Sequence, residues 1–153
     1  MEPLLRRRQT TLGILGAGVI VFGIWTVVKT VLFWLTQRTG PFGAMPAAER
    51  VGLSLLVGIP MLADLGLRFY IGHSARAESA GAHRSAFYLV LTGVLIALNG
   101  VAVGFTSFVL IAGGADWLDT LIELFIDLTS CVTMADLLIT GIGFRSLRKR
   151  LGM

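Results

Sequence analysis

The stretch AFYLVLTGVLIALNGVAVGFTSFVLIA, residues 86–112, contains no aspartate, glutamate, lysine or arginine. Crossing a hydrocarbon core ~30 Å thick takes ~20 apolar residues of helix, so this run spans it with a margin. Three further apolar runs lie at approximately 12–36, 51–71 and 117–143. In lipid a backbone must satisfy its own polar groups, which leaves only helices and closed barrels. None of the four runs shows the two-residue alternation of a barrel strand. The predicted fold is therefore all-α: an integral membrane four-helix bundle, one domain over residues 1–153, with basic cytoplasmic N- and C-terminal tails.

Composition points the same way. Of 153 residues, 55% are hydrophobic and 14% charged, whereas soluble domains carry about 25% charge. The mean hydropathy is +0.81. The first run follows Arg6, Arg7 and Arg8, as a secretory signal would. Its apolar stretch is longer than the ~7–15 residues of such a signal, so it reads as a retained helix. Cys131 is the single cysteine, which rules out an intrachain disulfide and any cysteine-based metal cluster. His73 and His83 flank a loop with one carboxylate, Glu78, too few ligands for a metal. No Ser/His/Asp set shares a depth and no phosphate-cradling loop follows a strand. Neither an enzyme nor a cofactor is expected.

The net charge is +4 and the isoelectric point near 10, a balance that can mark nucleic-acid binding. Here its distribution is a topology signal instead. With both termini cytoplasmic, that face holds the N-terminal arginines, Arg68, Arg76, Arg84 and the basic C-terminal tail, against Arg38 and Arg50 opposite. This is a positive-inside pattern. It predicts a multi-pass protein of a cell membrane whose first partner is the lipid bilayer, with no nucleic acid. Arg145, Arg148, Lys149 and Arg150 are expected against anionic headgroups, each contributing ~1 kcal/mol.

Charges inside the spans need a different account. Asp119, Glu123 and Asp127 are four residues apart and share one helix face. Lys29 lies ~25 Å from the inner end of the first run, level with Glu123 and Asp127. A charge at the bilayer centre costs at least ~2.5–3.5 kcal/mol, so these groups should turn inward and pair. Lys29, Asp119, Glu123 and Asp127 form the predicted outer network.

A second network follows from an internal match. Met61-Leu-Ala-Asp-Leu-Gly-Leu67 aligns with Thr133-Met-Ala-Asp-Leu-Leu-Ile139, while Gly16 pairs with Gly93 and Gly23 with Gly100. The alignment predicts two hairpins in the same orientation, related by a pseudo-two-fold axis along the membrane normal. Asp64 and Asp136 would then lie at one depth, ~7–10 Å from the cytoplasmic end. Arg68 stands one turn beyond Asp64, so Asp64, Arg68 and Asp136 form the predicted inner network, with Asn99 as an added polar contact. Pro60 removes one helical hydrogen bond, and a kink is expected there.

On the third run Gly93, Ala97, Gly100, Gly104 and Ser107 fall on one face, a pattern that lets helices approach closely. The function expected from these features is non-enzymatic: an oligomeric or accessory subunit, pairing with copies of itself or with another membrane protein, its charges satisfied inside the bundle. The alternative is a small proton- or cation-coupled transporter or channel that works through the intramembrane carboxylates.

Overall fold

The computed structural model describes residues 2–37, 46–82, 85–112 and 117–150, which form four helices. They are α1 (Glu2–Gln37), α2 (Ala47–Ser79), α3 (Phe87–Ile111) and α4 (Trp117–Arg150). Each packs antiparallel on its sequence neighbour, and α1 closes the ring against α4. The α1–α2 contact is the most extensive and α2–α3 the least. Three helices are long and apolar enough to cross a membrane, with spans at Arg6–Leu32, Val51–Ser79 and Phe87–Phe108. The least apolar of the four helices is α4, which carries Asp119, Glu123, Asp127 and Asp136.

The helices outrun the apolar stretches. At its N-terminal end α1 begins ahead of residue 12, α2 continues past residue 71 to Ser79, and α4 reaches Arg150. The basic tails are therefore helix rather than appended chain. The cause is that apolarity records only the hydrocarbon thickness, whereas helical hydrogen bonds form equally well where side chains turn polar. What stops α2 is Gly81, at φ 94°, a left-handed conformation that costs a glycine nothing. Gly81 N–H donates to the Glu78 carbonyl and Ala82 N–H to the Ala77 carbonyl, the paired bonds of a Schellman end. The Gln9 side chain on α1 donates to the Ser79 carbonyl and ties this end to its neighbour.

Packing is concentrated at the end where α1 starts and α2 and α4 finish, here called the basic end. Leu12, Val19, Ile71, Tyr88, Met134 and Leu137 are all buried there. A glycine crossing makes this density possible. A Cβ at Gly16 would lie 2.8 Å from the Gly72 carbonyl oxygen, and one at Gly72 would meet the Gly16 carbonyl and Ile20. On α4, a Cβ at Gly141 would lie 2.7 Å from a Leu89 methyl. These glycines bring backbones together as small residues do between membrane helices.

The stripe predicted for that role does not fill it within the chain. A Cβ at Gly93, Gly100 or Gly104 would meet nothing, Ala97 is exposed and Ser107 is half-buried. This face of α3 looks out of the bundle, and the close approach belongs to α1 and α2. The glycine pairs of the internal match thus occupy unlike surroundings. Gly16 and Gly23 press on α2, while Gly93 and Gly100 face open space.

Elsewhere the outward faces carry large apolar side chains, among them Ile14, Leu56, Val101, Phe105, Phe125 and Ile139. A water-soluble monomer rarely exposes contiguous apolar patches beyond a few hundred Å². Hydroxyls in the helices are satisfied locally. Thr26, Thr30, Thr92, Ser107, Thr129 and Thr133 each donate to the carbonyl four residues back. Such bonds remove the cost of a bare hydroxyl in an apolar medium.

Candidate functional site

Arg68 organises the middle of the bundle. It is 4% exposed and every nitrogen has an acceptor. Nε donates to Asp64 Oδ2 at 2.7 Å, Nη1 to Ser130 Oγ at 2.7 Å and Nη2 to Asn99 Oδ1 at 3.1 Å. Three helices are joined by one guanidinium whose planar fork suits such a task. Asn99 is held in turn, because its Nδ2 donates to the Leu95 carbonyl at 2.8 Å. Gly23 on α1 makes room for the stem, since a Cβ there would lie 3.2 Å from Arg68 Cδ.

This placement corrects the expected inner network. Arg68 was assigned to the basic boundary because the apolar run fades near residue 71. In fact it lies ~16 Å before the end of α2 at 1.5 Å per residue, level with Ser130. Asp64 lies ~6 Å from that level toward the far end and Asp136 ~9 Å toward the basic end, so the two aspartates do not share a depth. Arg68 reaches Ser130 and Asn99 instead of Asp136. Asp136 is exposed, and its carboxylate makes no hydrogen bond or ion pair to a described residue. It sits on the outward apolar face of α4 between Val132 and Ile139, which are 53% and 67% exposed.

Nearer the far end, Lys29 Nζ donates to Glu123 Oε1 across α1 and α4, as their level placement along the two helices requires. Both side chains are open, at 42% and 43%. Asp127, one turn along α4, is half-buried and has no hydrogen bond or ion pair to a described residue. The Asp119 side chain lies outside the described residues, as do His83 and Arg84.

The two predicted networks meet in one cavity of about 500 Å³. Lys29, Asp64, Arg68, Asn99 and Asp127 all line it, with Thr26 beside them, so every helix contributes. The remaining wall is largely apolar and comes mainly from α2 and α3, including Met61, Leu67, Leu95 and Leu98. These two helices make the least contact in the ring, and the cavity occupies the gap between them. Pro60 lies at its edge, within a helix that continues on both sides.

A separate ion pair closes the basic end. Arg145 Nε and Nη2 donate to Glu78 Oε1 and Oε2, both at 2.8 Å, and Nη2 also donates to the Ser85 carbonyl at 3.1 Å. Glu78 is 2% exposed. The guanidinium stands 5.4 Å over the Tyr88 ring, in range of a cation–π contact. The hydroxyl of Tyr88 is buried with no hydrogen bond to a described residue. Burial opposes the charge on Arg145, but the hydrogen bonds and attraction of Glu78 outweigh it and raise its pKa. Arg145 is thus engaged inside the protein rather than set against headgroups. Arg148 is half-buried, and Lys149 and Arg150 are exposed.

Sequence reasoning missed the Glu78–Arg145 clamp, the Ser130 acceptor and the Gly16–Gly72 crossing. Glu78 left a trace, as a lone acid amid the small residues 74–82. Ser130 left none, because a serine in an apolar run looks like any helix-tolerated hydroxyl. Among the described residues no three of His, Cys, Asp and Glu come together as metal ligands, and Cys131 is half-buried on α4. Comparison of the chain with protein-family models, curated proteins and solved structures found no match.

Proposed function

We propose that the chain is a four-span integral membrane protein, termini on the cytoplasmic face, that acts as a non-enzymatic oligomeric or accessory subunit. The observation that carries this reading is Asp136. A carboxylate left in hydrocarbon costs ~2.5–3.5 kcal/mol or more at the bilayer centre and less toward the boundary, and Asp136 lies ~9 Å nearer the basic end than Arg68. Nothing described in the chain relieves it. A neighbouring membrane helix that covers the face and donates to the carboxylate removes that cost. The cations Lys29, Arg68 and Arg145 are each bound to an acid of the same chain, so they serve register rather than recognition. The open stripe on α3 supplies a second surface suited to close helix contact.

The test is the mass of the protein in mild detergent, measured by light scattering after extraction from its native membrane. An oligomer or a stoichiometric complex that dissociates in Asp136→Leu supports the reading. A monomer whose behaviour is unaffected by this change removes it.

One observation favours a second reading, a small proton- or cation-coupled transporter. The cavity gathers Asp64 and Asp127, and Glu123 pairs with its Lys29, so three acids stand against Lys29 and Arg68. One carboxylate is in excess, and ionisable groups within a span mark substrate or proton paths by default. Asp127→Asn should then abolish pH-driven cation uptake into liposomes while the protein still folds. Uptake indifferent to Asp64, Glu123 and Asp127 would exclude this mechanism.

A further inference from the structure

The cavity has features that select one class of ligand. Its cations are already occupied: Lys29 by Glu123, and Arg68 by Asp64, Ser130 and Asn99. Its remaining carboxylate, Asp127, makes no hydrogen bond or ion pair to a described residue. Its lining combines these polar groups with a larger apolar share, Met61, Leu67, Leu95 and Leu98 among it. α2 and α3 make the least contact in the ring, and the residues of both that line the cavity lie within the apolar spans Val51–Ser79 and Phe87–Phe108, at a depth that a molecule dissolved in acyl chains can reach. A volume of about 500 Å³ suits a small organic molecule. A bare divalent ion would find no set of three ligating side chains among the described residues.

We propose that this cavity binds a lipophilic monovalent cation, an apolar body carrying one ammonium- or phosphonium-type charge. The charge lies against Asp127, with Asp64 next to it, and the apolar body rests on the leucines of α2 and α3. The ligand enters laterally from the bilayer between these two helices. Burying it neutralises the one carboxylate that the protein leaves unmatched there, and it leaves the Arg68 hydrogen bonds intact. This inference rests on the transport reading only for the location of the site, since binding requires no translocation.

The experiment uses the full chain in nanodiscs titrated with tetraphenylphosphonium, followed by calorimetry, with neutral triphenylphosphine oxide as the control. The expected result is saturable binding of one cation per chain, at least tenfold tighter than the control. Asp127→Asn should weaken it at least tenfold, and so should Leu98→Trp, which fills the gap without touching a charge. Unchanged thermal unfolding in both variants keeps the loss from being a loss of fold. Absent binding, or binding equal in wild type and Asp127→Asn, overturns the proposal. Asp127-dependent proton or rubidium flux without tetraphenylphosphonium binding overturns this ligand class and leaves the transport reading standing. Asp127-dependent binding without any flux upholds the site and removes transport.

Discussion

The basic half and the far half of this bundle solve opposite problems. At the basic end four helices are drawn together by glycines at 16, 72 and 141, the buried side chains cluster, and Glu78 with Arg145 joins α2 to α4. Toward the far end an open cavity lies among the helices, α2 and α3 touch least, and the Lys29–Glu123 pair stays exposed. Arg68 stands at the seam, with one carboxylate and two neutral acceptors satisfying it. Inside the bundle, then, the tight packing lies at the basic end and the carboxylate without an ion pair, Asp127, lies in the looser half, while Asp136 faces outward. The packed core and the cavity draw on largely different residues, and substitutions should divide accordingly.

The largest effect should come from Glu78→Ala. Removing one partner of a buried ion pair costs about 3–5 kcal/mol, and Arg145 is partly exposed, so the lower end of that range applies. Thermal unfolding in detergent measures it. The pH behaviour has a definite sign. Because the Arg145 pKa is raised, its contribution is fully present below the ordinary arginine value and is lost only as pH climbs through the higher folded value. Alkaline buffers short of the arginine range should therefore leave the clamp intact.

Next comes a pair of glycine changes that separates the halves of the comparison most cleanly. Gly72→Leu drives a side chain into the Gly16 carbonyl and Ile20, and overpacking of this kind costs about 1–3 kcal/mol or more. Gly100→Leu meets open space and should leave unfolding of the isolated chain unchanged. If both lower stability equally, the two faces are not distinct. If Gly100→Leu alters only the oligomeric mass, the α3 face is a contact between chains.

Smaller still is the effect of exchanging the open pair. Lys29→Glu and Glu123→Lys should each reduce folded yield, and the double exchange should restore it. The net coupling should be within about 1 kcal/mol for so exposed a pair. Asp136→Leu should be the mildest for the fold, neutral or slightly stabilising in the isolated chain, because it replaces an outward carboxylate with an apolar side chain. Unfolding scans of the four proteins decide both points.

How far the sequence carried this picture depends on which physical signal each residue left. Residues 86–112 announce a helix because nothing charged interrupts them, and the helix α3 lies within that range. The level of Lys29 and Glu123 followed from the rise per residue alone, and the two side chains meet. Arg68 was misplaced because the end of an apolar run was taken as the end of a helix, and eight further residues of α2 shift its depth. Asp136 was drawn into the inner network by a short match around Ala-Asp-Leu. Similar side chains on two helices say nothing about which way either helix is turned. The small residues of α3 and those of α1 and α2 look alike as letters, and only packing separates a filled face from an open one.

In the far half Asp127 lines an open cavity, whereas in the basic half Met134 is fully buried. Single cysteines placed by Asp127→Cys and Met134→Cys, each in a Cys131→Ala background, test this directly when treated in nanodiscs with a small water-soluble thiol reagent. Rapid modification at position 127 and none at position 134 is the predicted result. A protected residue 127, or equal reactivity at both positions, would contradict it.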